Sequence, residues 1–329
     1  YLDSTFANGM YVEGYITLDS IDSNIDLSIP WLAFYGDWDD APIFDATYYD
    51  DTYEIYPTIP LGLYISGMMG YPFPLGSYEL FILPDGYEAP LASADKIALN
   101  YEGNNVLYSV SIGLLRSVKE LRYEIVDKYT RQSYFNGYAT NVGKTYLNDS
   151  GALVPTQHEL QIPQFLVGSN QELEIVITGV LDTIDQKEES LVIPLTLDYE
   201  APTLLDSKVY EKEGRTYLEF EAYDNHYLSY FGLLTESEAY PDEFELICDN
   251  AFPIYDEVRG GNTVVTVDIT DYKDKIYNHK LALAIGDYAL NESGYLIEAY
   301  EEFITGSTST QDLNKTSYEE TKTDQVVTT

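Results

Sequence analysis

Residues 10–19 read MYVEGYITLD, and this stretch decides the fold class. Val12, Gly14, Ile16 and Leu18 alternate with Tyr11, Glu13, Tyr15 and Thr17. A period of two sends the two sets to opposite faces of an extended strand, and Tyr, Val, Ile and Thr suit a pleated, half-buried surface. The same reading applies to Val106–Leu114, Glu120–Asp127, Glu172–Gly179, Leu191–Leu197, Thr216–Tyr223, Thr263–Ile269 and Lys280–Gly286. Turn residues punctuate the intervals, as at Asn148–Gly151 and Gly260–Asn262. No long stretch keeps an apolar 3.6-residue period with caps at both ends. Many short strands separated by turns predict an all-β chain built of sandwiches.

The chain has 329 residues, enough for two or three such units, and its 45% hydrophobic content is ample for real cores. Its charge is unusual: 17 Lys and Arg face 56 Asp and Glu, a net −39. So acidic a surface repels phosphate backbones and anionic lipid, which excludes nucleic acid as a partner and electrostatic docking on a membrane. It attracts cations and basic peptides instead. Cys248 is the only cysteine, so no intrachain disulfide and no Cys-rich zinc site can form. No apolar run is long enough for membrane insertion; the nearest, Leu61–Gly76, is broken by Pro72, Pro74 and several glycines. The sequence starts mid-pattern at Tyr1 without Met, as a fragment of something longer would.

Boundaries show best at prolines. The tetrapeptide Tyr-Glu-Ala-Pro occurs at Tyr87–Pro90 and again at Tyr199–Pro202, with the copies 112 residues apart. That spacing matches one immunoglobulin-type sandwich of about 100 residues. The expected divisions are 1–51, the C-terminal part of a first sandwich; 52–92, a connecting segment; 93–198 and 199–304, two further sandwiches; and 305–329, a polar disordered tail. A sandwich missing half its strands exposes an edge and an apolar face, so residues 1–50 are expected to be locally loose.

The most distinctive block is Ile29–Asp45, IPWLAFYGDWDDAPIFD, which follows the strand Val12–Leu18. Together they resemble the end of the first fibronectin-type-III-like domain of large cell-envelope subtilisin-like serine proteases, the family of lactocepin and the streptococcal complement-cleaving peptidases. ADKIALNYEGNNVLYSVSIGLLRSVKELRYEIVD (94–127) is similar to their second such domain. IPLTLDYEAPTL (193–204) resembles the junction into a third, and LEFEAYDNHYLSYFGLL (218–234) and AIGDYALNESGYLI (284–297) resemble its paired strands. The resemblance covers roughly residues 10–300 and implies tandem immunoglobulin- or fibronectin-type-III-like β-sandwich domains. It also implies a bacterial, Gram-positive cell-surface location. A subtilisin-type site needs Ser, His and Asp, with the Ser in a Gly-Thr-Ser-Met-Ala-x-Pro helix start, and none of this is present. Ser66–Pro72, SGMMGYP, only imitates that signature, with Met at the nucleophile position. No catalytic residue is expected.

Carboxylate pairs alone carry no information in so acidic a chain. The densest carboxylate-plus-aromatic cluster is Asp37, Asp39 and Asp40 around Trp38, a candidate contact for substrate or, on the plainer reading, a solvated loop with Trp38 packed on the domain edge. Asp224-Asn225 and Asp287 with Asn291 should lie on adjacent loops, where they could jointly bind calcium or simply cap turns through Asx hydrogen bonds; the turn role is favoured. Where the protease relatives carry an acidic calcium loop, this chain has Asn100–Asn105 with a single carboxylate, Glu102, too few oxygens for a metal. Apart from calcium at those four positions, no cofactor is expected. His158, His226 and His279 show no metal-binding spacing, and His226 in Asp-Asn-His reads as part of a strand-end turn.

The resulting expectation is a non-catalytic accessory region that braces an upstream protease domain of the same polypeptide and helps to recognise a protein or peptide substrate. A stand-alone adhesin or carbohydrate-binding protein built of immunoglobulin-like modules is the alternative.

Overall fold

A computed structural model describes residues 10–21, 26–37, 39–50, 52–64, 72–77, 93–102, 105–237, 244–247, 251–254, 257–276, 280–297 and 310–312. Trp38, Cys248, His279 and most of the expected polar tail lie outside them.

The period-two stretch that opens the chain forms β1 (Met10–Leu18), paired antiparallel with β2 (Leu27–Tyr35). Among the described residues the hairpin joins no other strand, and Tyr15, Leu18, Leu27 and Leu32 are all more than half exposed. A lone two-stranded ribbon has no second layer to bury an apolar face against.

The N-terminal sandwich comprises β3 (Ile59–Tyr64), β4 (Pro72–Pro74), β5 (Ala98–Leu99), β6 (Asn105–Ile112), β7 (Val118–Asp127), β8 (Ser133–Val142), β9 (Tyr146–Leu147), β10 (Leu153–Val154), β11 (Thr156–His158), β12 (Gln171–Val180) and β13 (Glu188–Leu197). One sheet runs β11-β6-β3-β4 and the other β5-β13-β12-β7-β8. In β12 the period-two rule is plain: Leu173, Ile175 and Ile177 are fully buried while Glu172, Glu174 and Thr178 turn outward. These residues meet Val110, Ile112 and Leu114 from the facing layer in one core.

That core also takes Ile43 and Phe44 from the expected first domain, and Phe73 and Leu75 from the expected connecting segment 52–92. The segment does more than connect: β3 pairs with β6 along Ile59–Tyr64. Its prolines sit where a strand tolerates them, Pro60 near the start of β3 and Pro72 and Pro74 on the short edge strand β4.

The C-terminal sandwich comprises β14 (Thr203–Lys212), β15 (Arg215–Asp224), β16 (Leu228–Glu236), β17 (Phe244–Leu246), β18 (Phe252–Pro253), β19 (Gly261–Asp268), β20 (Leu281–Asp287), β21 (Glu292–Ile297) and β22 (Thr310–Asp312). A β14-β15-β19 sheet faces a β17-β16-β20-β21-β22 sheet, with β18 also on β16. Their core holds Leu218, Phe220, Phe231, Leu233, Leu283 and Ile285. β22 lies inside the stretch expected as a tail and pairs with β21.

The two sandwiches meet at the 198–202 junction. Ala98 from the first packs with Tyr230, Tyr288 and Ala289 of the second. Around this small apolar patch, Tyr227 Oη donates to Asp95 at 2.7 Å, Lys96 pairs with Glu257, and Arg259 holds Glu172 at 2.6 Å.

Candidate functional site

Three apolar strands end in aspartate at that junction. Asp198 directly follows β13 of the N-terminal sandwich, whereas Asp224 closes β15 and Asp287 closes β20 of the C-terminal one. Each spends one carboxylate oxygen on the turn that follows it. Asp198 Oδ1 accepts from the Glu200 amide (3.1 Å), Asp224 Oδ1 from the His226 amide (2.8 Å) and Asp287 Oδ1 from the Asn291 amide (2.8 Å). This is the Asx chemistry that stops a strand: the short side chain takes over a backbone donor as the chain turns away.

One ligand atom from each of Asp198, Asp224 and Asp287 lies within 4.8 Å of the others. All three side chains are sealed from solvent, at 0%, 1% and 0% exposure. Among the described residues Asp198 Oδ2 and Asp224 Oδ2 have no hydrogen-bond partner, while Asp287 Oδ2 accepts from Asn291 Nδ2 at 2.7 Å. Among the described residues none of the three forms a salt bridge.

Burial with like-charged neighbours makes ionisation costly here. Burial pushes the Asp224 carboxyl up to about 7; the Asp198 and Glu200 charges add to the rise, and the His226 and Tyr227 amides oppose it. Asp287 is driven well above the carboxylate range by burial and then by Asp224 and Asp198. Asp198 also rises through burial, against the donors Asn225 and Glu200.

Two amides cross-brace the group. Asn225 Nδ2 donates to Asp198 Oδ1 (2.9 Å), and its Oδ1 has no donor. Asn291 Nδ2 donates to the Asp198 carbonyl (3.1 Å) as well as to Asp287, and its Oδ1 accepts from Asn100 Nδ2. The structure thus gathers all four residues singled out as a calcium or turn-cap set, and adds Asp198. Asn291 presents an N–H, not an oxygen, to the carboxylates. Asp198 escaped the sequence reading because its segment was explained by the junction prolines. The signal available was its place after the apolar run LVIPLTL, as Asp287 follows LALAIG.

The two described histidines are engaged by neighbouring side chains. His226 is buried, its Nε2 3.2 Å from Thr196 Oγ1, and its ring is held down to about 4 by burial and then by the Arg259 charge. Asp224 engages the His226 backbone amide rather than its ring. His158 stacks on Tyr123 at 4.6 Å.

The other expected cluster is a turn. Asp37 Oδ1 accepts from the Asp39 amide at 2.9 Å, and the Asp39 carbonyl accepts from Lys187 Nζ, which ties the loop to the N-terminal sandwich. Asp37 and Asp40 are exposed. Trp38, expected at their centre, lies outside the described residues.

No protein-family model matches the chain. It is 24% identical over 251 residues to the PI-type proteinase of Lactococcus lactis subsp. cremoris, and equally so to a PII-type proteinase of the same organism. A PII-type proteinase of Lacticaseibacillus paracasei is 24% identical over 242 residues. Each match covers 68% of this chain and 12% of the relative, so the chain corresponds to about an eighth of the length of these proteinases. Among the described residues no helix is long and apolar enough to cross a membrane.

Proposed function

We propose that the chain is a non-catalytic accessory region of a cell-surface subtilisin-like serine endopeptidase of a Gram-positive bacterium, which braces the protease domain and contributes to recognition of protein substrates. The observation that carries this reading is the similarity to a 12% slice of the PI- and PII-type proteinases, in a chain that folds as β-sandwiches. A net charge of −39 and the exposed Asp37 and Asp40 favour basic or extended polypeptides as the substrate class.

The test is an antibody raised against this segment and applied to the organism's extracellular fraction, followed by a fluorophosphonate probe for active serine hydrolases. A labelled polypeptide much larger than 37.3 kDa is the expected result. An unlabelled band near that mass overturns the reading in favour of a binding or adhesion module. Substrate contact is tested separately, by whether Asp37→Asn with Asp40→Asn raises KM for a basic protein substrate in the full-length protease.

A further inference from the structure

We propose that Asp198, Asp224 and Asp287 together bind one calcium ion, and that this ion fastens the two sandwiches to each other at their junction.

A turn-capping role accounts for only half of the Asp198 and Asp224 carboxylates, while Asp287 has both oxygens engaged by Asn291. One oxygen closes the Asx-type turn, but the second oxygens of Asp198 and Asp224 are sealed from water with no donor. A buried unpaired polar atom is costly, and a charged one more so, so a fold that places several together needs a compensating partner. Lys, Arg and His do not supply it among the described residues: Lys96 is committed to Glu257, Arg259 to Glu172, and His226 Nε2 to Thr196.

The donor set selects the partner. All the ligand atoms are carboxylate oxygens, which suit a hard divalent cation rather than zinc or copper. Calcium–oxygen bonds of about 2.3–2.6 Å allow two oxygens on one ion to stand up to about 5 Å apart. The three carboxylates fall within that limit. Asn225 Oδ1, which also lacks a donor among the described residues, is a candidate for a fourth oxygen, with backbone carbonyls and water completing the shell. Asn291 positions its neighbours, since it turns its N–H groups toward Asp287 and the Asp198 carbonyl.

The consequence follows from where the ligands originate. Asp198 ends the last strand of one sandwich, and Asp224 and Asp287 end strands of the other. An ion on all three therefore couples the two units directly across the short link 198–202. The inference does not depend on the proteinase reading, and its test uses no protease.

The experiment is calorimetric titration of CaCl2 into the 329-residue chain, stripped with EDTA and dialysed at physiological salt so that diffuse binding to the acidic surface is screened. Expected are one calcium per chain, a dissociation constant at or below the ~10⁻³ M typical of extracellular modules, and a melting temperature that rises with calcium. Asp224→Asn keeps an oxygen for the turn and should weaken binding about ten-fold or more, whereas Asp127→Asn, at a similar turn elsewhere, should leave affinity unchanged. A second readout separates a metal site from a purely structural cluster. In EDTA, Asp224→Asn should melt no lower than the unaltered chain, because it removes like-charge repulsion; in calcium it should melt lower. Absence of site-specific heat together with a calcium-independent melting temperature overturns the proposal. Equal loss of stability in EDTA and calcium overturns it as well, and tighter binding of MgCl2 than of CaCl2 overturns the choice of ion.

Discussion

Asp45 shows how one side chain can hold a loop that no sheet includes. Its carboxylate is buried and accepts four backbone N–H groups: those of Ala46 (2.9 Å), Glu54 (2.8 Å), Ile55 (2.6 Å) and Tyr56 (2.9 Å). Burial raises its pKa, but the four donors outweigh it and hold the carboxyl below its ordinary value of 3.8. The resulting contribution to stability is full above that ordinary value and is lost as pH falls through the lowered folded one. Asp45→Asn places an NH₂ against the Ile55 and Tyr56 donors or the Glu54 and Ala46 ones, and should cost roughly 3 kcal/mol at neutral pH. Urea midpoints of the two proteins should then converge as the pH is lowered toward ~3, and a gap that stays constant would show that the charge is not what holds the loop. The contrast with the junction aspartates is instructive. Asp224-Asn225 and Asp287 with Asn291 are visible in sequence as Asp and Asn at expected loops, because a strand that stops must spend its donors somewhere. Nothing in sequence separates Asp45 from its acidic neighbours, since three of its four partners are backbone amides nine to eleven positions away.

At the scale of elements, three glycines sit directly opposite aromatic residues in antiparallel pairs: Gly14 opposite Trp31, Gly137 opposite Tyr123, and Gly286 opposite Tyr230. In each pair the ring lies over the missing side chain. A methyl group at Gly137 would meet Tyr123 Cε2 at 2.3 Å, and one at Gly286 would meet Tyr230 Cζ at 2.2 Å. Glycine weakens a strand by itself, and a cross-strand ring covering the bare backbone offsets that weakness. The Tyr230 ring crosses Gly286 far enough for its hydroxyl to donate to Glu292 on the next strand at 3.0 Å. Gly137→Ala should therefore displace Tyr123, which also stacks on His158, and cost roughly 1–3 kcal/mol. Adding Gly137→Ala to Tyr123→Ala should cost much less than it does in the unaltered chain. Additive losses in that double-mutant cycle would rule out the ring as the reason for the glycine. The alternating strands were legible for a related reason: where one face is buried, as in β12, the pattern is enforced at every second residue. The edge strand β8 was not, because its sequence SYFNGYATNV is exposed or half-exposed throughout and its burial carries no strict period. β3 was obscured by its own Pro60 and Gly62, whose roles depend on neighbours distant in sequence.

At the scale of the molecule, the question is whether the sandwiches behave as two bodies or one. The junction is small, and several of its polar side chains are buried; such contacts are unforgiving when broken. Asn105, at 1% exposure, makes the clearest link: its Nδ2 donates to the Ala98 carbonyl (3.0 Å) within its own sandwich and to the Tyr288 carbonyl (3.2 Å) of the other. Asn105→Ala leaves both carbonyls without that donor, at about 1–3 kcal/mol apiece, less a fraction because Asn105 Oδ1 itself lacks a donor. The Ala98 carbonyl loss falls on the N-terminal sandwich alone, whereas the Tyr288 loss falls on the coupling between the two. Two domains unfold as one when their coupling energy exceeds the difference between their separate stabilities. Scanning calorimetry of the unaltered chain should accordingly show a single dominant transition, and Asn105→Ala in the same buffer should resolve it into two, with the N-terminal sandwich melting first. Val264→Ala is the control: it is exposed on β19, away from the junction, and should lower nothing and split nothing. Two transitions in the unaltered chain would mean that the polar junction orients the sandwiches without making their folding cooperative. A single transition that survives Asn105→Ala would place the coupling in other contacts across the junction, such as Tyr227 with Asp95, Arg259 with Glu172 and Asn291 with Asp198, rather than in the Asn105 amide.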